Sequence, residues 1–167
     1  MTRIFSTSPV GRCAGMALLV ALVLGFFGPG SASADVWGAL KGKIFVSDTE
    51  FGSGYPTDGA MIAAIKKQSK AVIKSDGGVW TLHMMVFLKE AAGADKLNIV
   101  YYDVTKKREQ VNFSEIDVKP DQKMVQLNGT SLSKDLGFVA GHKYDVLATR
   151  LIGGKEKVFA KTTLTLK

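Results

Sequence analysis

Downstream of residue 42, hydrophobic side chains recur mostly at every second position, the period of a strand with one buried face. The longest such run is Val79 to Lys89. There Trp80, Leu82, Met84, Val86 and Leu88 share a wholly apolar face, and Thr81, His83 and Lys89 fall on the other. Leu97 to Val104 is apolar on both faces, with Tyr101 and Tyr102 in opposite sets, as in a strand inside a packed sheet. Between Gln110 and Val118 the apolar set jumps from Val111 and Phe113 to Ile116 and Val118, a parity change that predicts a bulge. Lys43 to Ser47, Ala71 to Ile73 and Met124 to Leu127 read as shorter strands. Ser75-Asp76-Gly77-Gly78, Pro120-Asp121 and Asn128-Gly129 read as turns. The clearest hairpin closes the chain: Tyr144, Val146 and Ala148 alternate up to Gly153-Gly154, and Val158, Ala160, Thr162, Leu164 and Leu166 return with matching alternation.

The period changes once. After a loop at Phe51-Gly52-Ser53-Gly54-Tyr55-Pro56, Thr57 and Asp58 supply helix caps. Met61, Ala64 and Ile65 then share one face, and Lys66 and Lys67 stand where a helix C-terminus favours cations. One helix of about three turns is expected there. About seven strands at short spacing from Lys70 onward predict an all-β chain, an antiparallel two-sheet sandwich with a short N-terminal strand and one helix added. The expected organisation is residues 35–69 as strand, loop and helix, and 70–167 as the sandwich.

Residues 1–34 read differently. Arg3 and Arg12 are their only charged side chains, residues 14–27 are apolar or glycine, and Ala32-Ser33-Ala34 offers the small residues a signal peptidase accepts. The apolar run is shorter than the roughly 20 residues that span a bilayer. The pattern predicts a cleavable secretory signal, a mature chain from Asp35 with no transmembrane segment, and export to a bacterial periplasm or beyond. N-terminal sequencing of the exported protein is expected to begin at Asp35. The sole cysteine, Cys13, lies inside the signal, so residues 35–167 hold neither a disulfide nor a thiolate.

One stretch carries a resemblance. Phe138-Val139-Ala140-Gly141-His142-Lys143-Tyr144-Asp145-Val146 resembles the tyrosine corner of immunoglobulin-like and fibronectin type III domains in the spacing of Phe138, Gly141 and Tyr144. The glycine hairpin and terminal strand that follow match that family's last two strands. The resemblance implies an immunoglobulin-like sandwich in which the Tyr144 hydroxyl bonds to backbone near Phe138 to Gly141, with Trp80, Phe138, Gly141 and Tyr144 as structural residues. Ala140 stands where the family usually has proline, no inter-sheet cysteine pair exists, and Trp80 falls on the second strand instead of the third.

Of 22 basic and 15 acidic residues, the signal removes Arg3 and Arg12, leaving 20 against 15, a net +5. The one tight cluster, Lys106-Lys107-Arg108, is the candidate binding feature for an anionic envelope polymer. The alternative reading is a solvated loop. His83 and His142 have no metal-ligand spacing, and Gly52-Ser53-Gly54 lacks the context of a nucleophile elbow. Asp48 with Glu50, and Glu115 with Asp117, are carboxylate pairs that would serve a small wall-polymer hydrolase. No cofactor, metal or catalytic residue is expected, and the aromatics near the basic cluster belong mostly to the core, so no nucleic-acid partner is expected either. The expected function is a non-catalytic exported module that binds or scaffolds an unknown protein or anionic polymer through loops or a sheet edge.

Overall fold

Strands make up about half of the computed structural model, which describes residues 38–167; the expected secretory signal and cleavage site lie outside them. The strands are β1 (Lys43–Ser47), β2 (Val72–Ile73), β3 (Val79–Phe87), β4 (Lys96–Asp103), β5 (Glu109–Asp117), β6 (Met124–Ser133), β7 (Lys143–Ile152) and β8 (Lys155–Leu166). A helix, α1 (Asp58–Gln68), joins β1 to β2, and a short 3-10 helix, Lys134–Leu136, follows β6. The chain is all-β in class. Thr57 caps α1, its hydroxyl accepting from the Ala60 N–H at 3.2 Å, and Lys66 and Lys67 occupy the last turn.

All eight strands belong to one hydrogen-bonded sheet in the order β5-β4-β7-β8-β1-β3-β6, with β2 also against β8. This corrects the expected pair of antiparallel sheets: the sheet is continuous, mixed and curled into a half-barrel. The parallel contacts arise at β8. There β1 meets it through the single pair Lys43↔Lys161, and β2 runs beside its end through Val72↔Thr165 and Ile73↔Leu166. The first strand, expected as an addition to a sandwich of residues 70–167, therefore sits inside the sheet, antiparallel to β3 from Lys43↔Phe87 to Ser47↔His83.

Two turn and bulge expectations also change. Asn128-Gly129 does not turn the chain, since β6 runs through it. The register on β3 passes from Leu82↔Thr130 to Met84↔Leu127, leaving Asn128 and Gly129 as a bulge, and Gly129 takes the left-handed φ of 70° that a glycine allows there. In β5 the parity change falls at Val111 and not after Phe113. The partners run Tyr101↔Asn112 then Tyr102↔Gln110, so Val111 is the extra residue. It packs on the core, while Phe113 is turned outward and is 59 % exposed. Gly153 and Gly154, at φ 58° and 77°, form the two-residue hairpin between Ile152 and Lys155, where positive φ at both positions matches the strand twist.

Inside the curl, Trp80, Leu82, Met84 and Val86 of β3 meet Leu97, Ile99 and Tyr101 of β4 and Tyr144, Val146 and Ala148 of β7 in the main core. Trp80 Nε1 donates to the Lys167 carbonyl at 2.9 Å, tying β3 to the chain end. A second, smaller core lies on the outer face of β3, where Met85 and Phe87 are covered by Ile65 of α1, Leu40 and Phe51. Thus β3 is buried on both faces at its C-terminal half. The helix covers the face that alternation alone assigned to polar residues.

Candidate functional site

The sheet order sets β4 beside β7, with Asp103 opposite Tyr144. The β4–β5 loop is thereby brought against the segment that leads from the 3-10 helix into β7. Asp103 shapes its own loop, since its Oδ1 accepts the Thr105 N–H at 2.8 Å. Thr105 Oγ1 in turn accepts the Lys143 N–H at 2.9 Å, and the Val104 N–H donates to the Lys143 carbonyl at 2.9 Å. On the other side Gly141, at φ 85°, donates its N–H to the Leu166 carbonyl at 2.6 Å. These bonds hold two loops from distant parts of the sequence at a fixed separation.

Between them lies a concavity of about 610 Å³, whose walls include Asp103, Lys106, Lys107, Gln110 and His142. At its base His142 Nδ1 and Asp103 Oδ2 are 2.5 Å apart. Burial alone would raise the Asp103 carboxyl. The hydrogen bonds from His142 and Thr105 and the charge of His142 outweigh it and hold the group below the usual carboxylate range. The ionised carboxylate can only accept, so His142 Nδ1 carries the proton and Nε2 is the ring nitrogen left for chemistry. The imidazole also stacks on Tyr144, with ring centroids 6.4 Å apart.

A carboxyl held low in the folded state stabilises the fold above its unfolded pKa of about 4, and that contribution is lost as pH falls through the folded value. Asp103→Asn is therefore expected to lower stability at neutral pH, with the gap from wild type closing on acidification. Denaturant unfolding at neutral and acidic pH measures both gaps; an equal gap at the two would mean that the charge of Asp103 contributes nothing.

The basic cluster divides. Lys106 and Lys107 line the concavity, whereas the Arg108 guanidinium lies 3.6 Å from the centroid of the Tyr102 ring, a cation–π contact. The carboxylate pairs are not brought together. Asp48 and Glu50 follow β1 and Glu115 and Asp117 lie on β5, with β4, β7 and β8 between those strands. Asp48 pairs with Lys70 at 2.6 Å, Glu50 accepts the Asn128 amide, and Glu115 pairs with Lys96. Among the described residues no three His, Cys, Asp or Glu side chains gather as a metal site, and no helix is long and apolar enough to cross a membrane.

Trp80, Phe138 and Tyr144 are buried in the main core. The Tyr144 hydroxyl accepts the Val139 N–H at 2.8 Å, and Phe138 packs between the rings of Tyr101 and Tyr144 at 5.3 and 5.2 Å. His83 is half-buried on β3, its Nδ1 without a hydrogen-bond partner. Nothing in the sequence joins Asp103 to His142. Only the β4–β7 pairing reveals the contact, because the two residues are 39 positions apart. Comparison with protein-family models, with curated proteins and with solved structures finds no match to the chain.

Proposed function

We propose that this protein is a non-catalytic exported binding module whose β4–β5 and β6–β7 loops receive an anionic group, a carboxylate or phosphate carried by a polymer of the cell envelope. The observation that carries the reading is the concavity in which Lys106 and Lys107 flank the His142–Asp103 pair. Two ammonium groups offer direct ion pairs at walls that also carry the Asp103 and Glu109 carboxylates, and the imidazole offers a further donor when protonated. The pair is also a rigid polar floor, since backbone bonds fix both loops. Export rests on the signal-like pattern of residues 1–34.

The finer architecture belongs to the same proposal: an immunoglobulin-like module. Support comes from the way β5-β4-β7-β8 and β1-β3-β6 form two antiparallel groups that meet at one parallel pair, Lys43↔Lys161, and from the Tyr144 hydroxyl reaching back to Val139.

Binding of polyphosphate and of polyglutamate, as phosphate- and carboxylate-bearing probes, tests the function. At least one is expected to bind at low salt and to weaken steeply as salt rises. The double variant Lys106→Ser/Lys107→Ser is expected to lose most of that binding while changing stability by no more than about 0.5 kcal/mol. Arg108→Ser is expected to cost about 0.5–1 kcal/mol of stability, from the exposed contact with Tyr102, and to leave binding largely intact. Binding to neither probe, or binding that ignores both salt and the two lysines, would overturn the proposal.

A further inference from the structure

A second concavity, of about 300 Å³, lies between α1 and the outer face of β3 and β6, away from the anion cleft, and its walls gather sulfur. Of the six methionines, Met1 and Met16 precede Asp35 and Met84 belongs to the main core. The remaining three, Met61, Met85 and Met124, all line this one concavity. They come from three elements. Met61 stands one helical turn before Ile65, the buried residue of α1. Met85 pairs with Gln126 across the β3–β6 ladder, which sets Met124, two residues before Gln126, on the same face and diagonal to Met85. Diagonal neighbours are about 7–8 Å apart at the backbone, and long side chains bridge that span. The three differ in depth: Met85 is 3 % exposed, Met61 is half-buried and Met124 is 36 % exposed at the mouth.

We infer that this concavity is a thioether site for a soft monovalent cation, Cu(I), held by Met61, Met85 and Met124. Thioether sulfur is polarizable and selects Cu(I) over the harder divalent ions, which prefer imidazole and oxygen. It is neutral, so the site forms without burying anions and without a proton to displace. No histidine or cysteine lines the concavity, and Asp58, its one carboxylate, stands in the first turn of α1 as a single negative charge near a single positive one. Flexible, unbranched methionine side chains from a helix and two strands can close on an ion from three directions, with Met124 as the point of entry.

The test is anaerobic titration of the purified protein with Cu(I) against a chromophoric Cu(I) chelator. Wild type is expected to retain one equivalent. Each of Met61→Leu, Met85→Leu and Met124→Leu is expected to weaken retention about tenfold or more, and the triple variant to abolish it. Leucine keeps the volume, so unfolding midpoints report whether the fold survives. Methionine methyl NMR on wild type needs no variant: Cu(I) is expected to shift the methyl signals of Met61, Met85 and Met124 and to leave that of Met84 in place. Failure of wild type to hold Cu(I), retention unchanged in a folded triple variant, or a shift confined to other methionines would overturn the inference.

Discussion

Tyr144→Phe is expected to destabilise the domain by about 1–2 kcal/mol, and Tyr144→Ala by about 3–5 kcal/mol, in denaturant unfolding beside wild type. The two values separate two roles. The ring is fully buried against Phe138, inside the curl of the sheet, so its deletion leaves a cavity that the surrounding strands cannot close. The hydroxyl accepts the Val139 N–H at 2.8 Å and ties the segment ahead of β7 to the strand itself. Phenylalanine keeps the ring packing and leaves that N–H without its acceptor. The cost falls in the lower part of the range for an unpaired buried group because Val139 is itself 45 % exposed, and water can reach part of its backbone. A Tyr144→Phe midpoint equal to wild type would mean that the Val139 bond adds nothing and that the loop is held by its other contacts, such as the Gly141 N–H to Leu166.

The neighbouring tyrosine is expected to behave in the opposite way: Tyr101→Phe should stabilise the domain by about 1–2 kcal/mol. Tyr101 is 2 % exposed, its ring meets Phe138 edge to face, and its hydroxyl is buried without a hydrogen-bond partner. Burial raises its pKa far above the ordinary tyrosine range, with no partner to offset the cost. Removing the hydroxyl keeps the edge-to-face contact and relieves that desolvation. Alkaline spectrophotometric titration gives an independent check, since the Tyr101 phenol should ionise only as the protein unfolds. A loss of stability in Tyr101→Phe would show that the hydroxyl has a partner of its own. Because Phe138 touches both tyrosines, the double variant is expected to depart from the sum of the single effects.

The Arg108→Ser and Asp103→Asn measurements bear on the other end of the same aromatic and loop cluster. They share one logic with the tyrosines: a group matters through what it leaves behind when removed. Arg108 leaves an exposed ring face, which water covers at small cost. Asp103→Asn keeps an acceptor for the Thr105 N–H but sets an amide donor against His142 in place of the carboxylate oxygen.

Local pattern was enough for much of the chain. The cap at Thr57, the hairpin at Gly153-Gly154, the inward face of Trp80, Leu82, Met84 and Val86, and the burial of Phe138 and Tyr144 were all legible, because each depends on residues within a few positions of one another. Lys106 and Lys107 stood out for the same reason. What failed were inferences that depended on strand register or on the pairing of strands distant in sequence. Asn128-Gly129 has the chemistry of a turn, yet the pairing of β6 with β3 turns it into a bulge. Val111 and Phe113 have the spacing of one apolar face, but the extra residue at Val111 sends Phe113 to solvent.

By itself, then, the sequence determined the kind of element at most positions, one buried face for most strands, the charge of the loops and the absence of cysteine from residues 35–167. Tertiary structure alone decided that β1 lies inside one curled sheet, that His142 meets Asp103 beside the lysines, and that three methionines from a helix and two strands share one concavity. The physical reason is range: alternation and capping are set by neighbours along the chain, whereas strand order is set by which buried faces fill the core together, and that depends on residues far apart in sequence.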